Sequence, residues 1–87
     1  MYKEYVPCHR CKRPAITDHE PIHNTGRRQL SIKWGLTIPV CAECHAMFHL
    51  QPETNKKYKI EMQERFEEQH GHDKFMEIFG VNYLGVD

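Results

Sequence analysis

Eighty-seven residues leave room for one domain, and a domain this small buries too little apolar surface to be comfortable without a cross-link. Twelve lysines and arginines balance 12 aspartates and glutamates, so the total charge shows no strongly basic nucleic-acid footprint. No apolar run approaches the ~20 residues that span a bilayer, and Met1-Tyr2-Lys3-Glu4-Tyr5 is not the start of a secretory leader, so we expect no membrane partner and a cytoplasmic setting with reduced thiols.

Residues 1–40 lack helical periodicity and are punctuated by Pro7, Pro14, Pro21, Asn24-Thr25-Gly26, Gly35 and Pro39. Short strands at Ala15-Ile16-Thr17 and Leu36-Thr37-Ile38 are predicted there, paired as a hairpin around a long basic loop. From Ala42 to Leu50 the breakers disappear and Pro52 follows, which predicts a short helix starting at the second cysteine pair. Residues 53–70 read as a longer helix, because Tyr58, Met62 and Phe66 recur every four residues and form one apolar core face, with Gly71 as its stop. Asp73 is placed to cap a last helix through Phe75, Met76, Ile78 and Phe79, ended by Gly80.

The charges are not evenly spread. Arg10, Lys12 and Arg13 surround the first cysteine pair, Arg27, Arg28 and Lys33 follow, and Lys56, Lys57 and Lys59 come later, whereas most acid lies from Glu61 to Glu77. A basic front and an acidic rear are compatible with a neutral total, as is ordinary solvation of the surface.

Cys8-His9-Arg10-Cys11 and, after 29 residues, Cys41-Ala42-Glu43-Cys44 are two matched pairs of the kind that together close a tetrahedral thiolate shell around one Zn²⁺. Disulfides and a redox dithiol are the competing uses, disfavoured by the expected compartment and by the matched pairs. Four thiolates leave no open coordination place, so this zinc would be structural and would add folding free energy that the core lacks. His45 and His49 stand four apart, on one face of the predicted helix, and two imidazoles so placed can share a metal ion. In Asp18-His19-Glu20-Pro21 an acid adjoins a base near a strand end, where both can face one site only if the strand stops or bulges. His9, His70 and His72 read as surface residues.

In order, these motifs resemble the HNH endonucleases with zinc-binding cysteines, above all the small HNH-like proteins of bacteriophages and prophages. The resemblance is carried by residues 8 to 49, and the closing Phe79-Gly80-Val81-Asn82-Tyr83-Leu84 is similar to the tails of some phage members. It implies an α+β fold: a small zinc-stabilised ββα-metal (HNH, His-Me finger) core at about 5–51, with C-terminal helices at about 53–84, in a single domain 1–87. It further implies that His19 is the general base, with Asp18, His45 and His49 holding a catalytic divalent metal (Mg²⁺, Mn²⁺, Ni²⁺ or Zn²⁺). In an alternative register His19 is the ligand and Glu20 the base. Either way the chemistry suits the residue types: imidazole titrates near neutrality, and a mixed carboxylate and imidazole shell keeps open places.

One departure stands out. Family members carry an asparagine just before the second cysteine pair to brace the base, and here that stretch reads Gly35-Leu36-Thr37-Ile38-Pro39-Val40. The expectation is then that Thr37, a backbone carbonyl or His23 holds His19, or that the site is weak or inactive. The function implied is hydrolysis of phosphodiester bonds of DNA in phage or prophage DNA metabolism, with Arg27, Arg28 and Lys33 gripping the backbone without reading sequence. A homodimer would supply a second cut strand. The rival is a non-catalytic zinc module that binds nucleic acid or a protein partner, and a second metal bound independently of the cysteines separates the two.

Overall fold

The computed structural model describes residues 4–23 and 26–84; Met1 to Lys3, and Asn24 and Thr25 of the predicted turn, lie outside the described residues. The chain runs through β1 (Thr17–His19), α1 (Arg27–Lys33), β2 (Ile38–Val40), α2 (Ala42–Leu50), a 3-10 turn (Pro52–Asn55), α3 (Lys56–His70) and α4 (His72–Phe79). This is an α+β arrangement with a two-stranded sheet, and no helix among the described residues is long and apolar enough to cross a membrane.

The strands pair antiparallel, Thr17 with Val40, Asp18 with Pro39 and His19 with Ile38. Both lie two residues later than predicted. Ala15 is taken by the segment before it, its N–H donating to the Val6 carbonyl at 2.8 Å, while Pro14 bridges Pro7. Pairing with β2 therefore begins at Ile16, whose N–H reaches the Val40 carbonyl at 2.9 Å. Strand alternation buries His19, Ile38 and Val40 and leaves Asp18 exposed. Pro39, with no N–H to give, is tolerated because a strand of a two-stranded sheet is an edge, and its carbonyl accepts from the His9 N–H at 2.7 Å.

The loop expected between the strands contains α1. Its one buried residue is Ser31, whose hydroxyl donates to the Ile22 carbonyl at 2.5 Å, and Leu30 and Trp34 pack half-buried against the core. Seven residues with a serine inward show no apolar period, which is why the sequence reads as loop there. Helix α2 has the predicted bounds. Its N-cap is Cys41, whose Sγ accepts the Cys44 N–H at 3.4 Å, so one cysteine starts the helix and belongs to the thiol cluster.

Helix α3 buries Tyr58, Met62 and Phe66 as the spacing predicts, and also Gln63. It starts at Lys56, later than expected, because Pro52–Asn55 winds as a tighter turn first. Gly71 (φ 88, ψ 161) then reverses the chain in a region of backbone space open almost only to glycine. Helix α4 consequently begins at His72, which moves Asp73 into the first turn, where it makes no cap hydrogen bond; Gly71 holds the N-cap position instead. Phe75 and Phe79 pack against Phe66, and one apolar cluster joins Cys8, Ile22, Leu36, Ile38, Val40, Phe48 and the α3 and α4 aromatics. Each large side chain buried there contributes about 1.5–3 kcal/mol. The fully buried Gln63 amide donates to Glu67 and Asn82 at 2.7 and 2.8 Å and accepts the Tyr83 N–H at 2.7 Å, clasping the segment after α4.

Candidate functional site: a thiol cluster and a histidine cavity

Four cysteine sulfurs lie within 4.8 Å of one another, from the Cys8–Cys11 turn and the start of α2. Cys11 and Cys41 Sγ are 3.5 Å apart. Four thiolates about 2.3 Å from a tetrahedral zinc would be spaced by about 3.8 Å, so this cluster could hold a zinc ion. The turn is closed by the Lys12 N–H donating to the Cys8 carbonyl at 3.0 Å, which requires a left-handed Lys12 (φ 70). Burial raises the Cys8 thiol, but backbone N–H groups of Cys11, Cys41 and Arg10 aimed at its sulfur outweigh that and bring it down to about 6. Burial pushes Cys44 up to about 12.

Helix α2 also carries His45 and His49, with Nε2 atoms 3.3 Å apart. Two nitrogens bound tetrahedrally at 2.0–2.1 Å to one ion would stand about 3.3–3.4 Å apart, so the pair has the spacing for a shared metal. Burial, then the neighbouring His49, holds His45 below the ordinary imidazole value, in the neutral form that can ligate.

His19 faces them from the end of β1, its ring 5.6 Å from that of His45 and 6.2 Å from that of His49. It is 3% exposed and stacked on Phe48 at 4.6 Å. Its Nε2 lies 2.8 Å from Asn55 Oδ1, and Asn55 Nδ2 donates to the Pro21 carbonyl at 2.8 Å. A carbonyl only accepts, so the Asn55 amide can stand only this way round, with its oxygen toward His19. His19 Nε2 must then carry the proton, leaving the lone pair on Nδ1. Among the described residues no buried side-chain nitrogen or oxygen lacks a partner, and the bond to Asn55 uses Nε2, which leaves Nδ1 as the edge of His19 that meets the cavity. Burial lowers this imidazole despite the Asn55 bond, keeping it neutral.

The cavity between these elements is about 320 Å³ and is lined by Thr17, Asp18, His19, Glu20, His23, Arg28, His45 and His49. Asp18 reaches it from the exposed side of β1. Among the described residues the cysteines are the one group of three or more candidate ligands drawn closely together; Asp18, His45 and His49 line the same cavity without forming such a group. Of the basic residues singled out, Arg28 lines the cavity and pairs with Glu20 at 2.9 Å, Arg27 Nε donates to the Phe79 carbonyl at 2.9 Å, and Lys33 is exposed in the last turn of α1.

Asn55 is the residue the sequence reading missed. Among the described residues neither Thr37 nor His23 hydrogen-bonds His19: the Thr37 backbone carbonyl takes Arg65 Nη1, and His23 Nδ1 donates to the Glu20 carbonyl. Asn55 sits where an asparagine would cap α3, yet makes no capping bond. Only its 36-residue separation from His19, invisible to local pattern, distinguishes the two uses. His9, read as surface, is half-buried, 2.6 Å from Glu61 and edge-on to Tyr58; His70 lies against Trp34 and Phe66, and His72 is 2.7 Å from Glu67. No family model matches the chain, nor does any curated protein or solved structure, so the functional reading rests on the chemistry of this cavity.

Proposed function

We propose that the chain is a metal-dependent endonuclease that hydrolyses phosphodiester bonds of DNA, with a structural zinc at Cys8, Cys11, Cys41 and Cys44. The observation that carries the reading is His19: a neutral imidazole held by Asn55 with its lone pair on Nδ1, opposite two α2 histidines spaced to share an ion. A divalent ion held by His45, His49 and Asp18 would supply charge neutralisation at the phosphate and its leaving oxygen.

The chain's own residues supply the rest. His19 Nδ1 takes a proton from the attacking water as the water oxygen bonds to phosphorus and the bond to the leaving sugar oxygen breaks. The Nε2–H bond to Asn55 persists while the ring is cationic, and stacking on Phe48 keeps the ring from turning away. Arg28 at the cavity, with Lys33 and Arg27, would bind phosphates without reading bases.

The neutral total charge and the distance of Asp18 from the histidine pair favour one alternative, a zinc module that binds nucleic acid or protein without cutting. Hydrolysis of the diester bis-p-nitrophenyl phosphate by zinc-loaded protein, with Mn²⁺, Ni²⁺ or Mg²⁺ added, separates the two. Turnover that disappears in His45→Ala and His49→Ala, while zinc at the cysteines is retained, supports the nuclease. A chain that binds DNA but never turns over the diester supports the module.

A further inference from the structure

Glu20 follows His19 at the mouth of the cavity, and both of its polar ends are engaged. Its Oε1 accepts from Arg28 Nε at 2.9 Å, and its backbone carbonyl accepts from His23 Nδ1 at 2.8 Å. The pair is lopsided: the Glu20 side chain is 14% exposed and that of Arg28 64%. A sheltered carboxylate is thus fixed to one edge of a guanidinium whose other edge is open. Because the bond is made at Nε, whose edge also carries one Nη N–H parallel to it, the end-on N–H groups of Nη1 and Nη2 remain in the guanidinium plane, directed away from Glu20. That outer edge is the fork that takes phosphate bidentately.

We propose that Glu20 is a positioning residue that holds the Nη edge of Arg28 on a phosphodiester of the substrate, and is not the base. This rests on the nuclease reading and deepens it. An arginine on a long side chain loses rotamer freedom whenever it docks on a phosphate; one already pinned by a carboxylate has lost it beforehand. The pair is neutral as a unit, so it adds little diffuse attraction for DNA and contributes a directed contact instead. In the register in which Glu20 removes the proton, its carboxylate would have to serve while paired with Arg28, whereas among the described residues His19 Nδ1 has no hydrogen-bond partner.

The test is steady-state cleavage of DNA by the full zinc-loaded chain, comparing wild type with Glu20→Ala, Glu20→Gln and Arg28→Ala, each checked for zinc content and circular dichroism. Glu20→Ala and Arg28→Ala each raise KM about tenfold, the lower end of what losing one charged hydrogen bond costs. The double variant is no worse than Arg28→Ala alone, since the two act as a unit. Glu20→Gln keeps an oxygen that can accept from Arg28 Nε and returns KM to within about threefold of wild type, with kcat little changed. The proposal is overturned if Glu20→Gln loses kcat by about a hundredfold or more at unchanged KM, the loss expected of a missing base. It is also overturned if Glu20→Ala leaves KM untouched. Should Glu20→Ala not fold, Glu20→Gln and Arg28→Ala decide by the same criteria. Absence of cleavage in the wild type, with or without DNA binding, overturns this proposal together with the nuclease reading; any other failing outcome, seen in an active wild type, overturns this one alone.

Discussion

At the end of the 3-10 turn, Asn55 stands where an asparagine ordinarily caps the next helix, and gives its amide to His19 and the Pro21 carbonyl instead. A capping bond is worth about 1 kcal/mol, so this use forgoes helix stability for control of one imidazole. Asn55→Ala strands a buried N–H and a buried carbonyl and should cost about 1–3 kcal/mol, read from thermal unfolding. In the same variant, ¹⁵N NMR should show His19 losing its single Nε2–H tautomer; a wild-type ring protonated on Nδ1 would contradict the geometry. His19 also sets a pH dependence. Its folded value lies below the ordinary 6.5 because the ring is buried, so folded and unfolded chains are alike in charge at this residue above that pH. As pH falls below about 6.5 the unfolded chain takes up a proton that the folded chain resists, and stability declines. His19→Gln should flatten that decline in denaturation curves recorded from neutral pH downward. The motif residues were readable because spacing of cysteines and histidines is local; the brace was not, because it joins residues far apart in the chain.

Helices showed in the sequence in proportion to their apolar period. The four-residue spacing of Tyr58, Met62 and Phe66 marks α3, and the absence of breakers between Cys41 and Pro52 marks α2. Helix α1 has no such stripe and turns a serine inward, so local pattern could not separate it from a loop. The strands were found but displaced, since the ties of Pro14 and Ala15 to the preceding segment are tertiary contacts. Met62, fully buried at the centre of the α3 face, gives the sharpest check on this level. Met62→Ala should lower stability by about 2–5 kcal/mol in chemical denaturation, enough to threaten a domain of this size. A loss within ~0.5 kcal/mol would place α3 outside the cooperative unit.

For the whole molecule, the thiol cluster lies in the same apolar cluster as the strand and helix side chains, with Cys8, Cys41 and Cys44 buried. If a zinc ion is held there, as proposed, its loss would leave four thiolates to repel or protonate at the point where the first turn, β2 and α2 meet. Cys41→Ser, or a strong chelator, should therefore abolish the cooperative thermal transition seen by circular dichroism; a chain that stays folded without metal would show the cluster to be dispensable. His45 and His49 line the cavity from the same α2 that Cys41 starts, so the two constellations are joined by one rigid helix that aims both rings. The most direct test of the nuclease reading is nicking of supercoiled plasmid by zinc-loaded protein with added Mg²⁺, Mn²⁺ or Ni²⁺, beside His19→Ala and an EDTA control. Metal-dependent nicking that falls by about a hundredfold or more in a folded, zinc-replete His19→Ala is the predicted result; no nicking with any metal, or equal nicking by the variant, would contradict it.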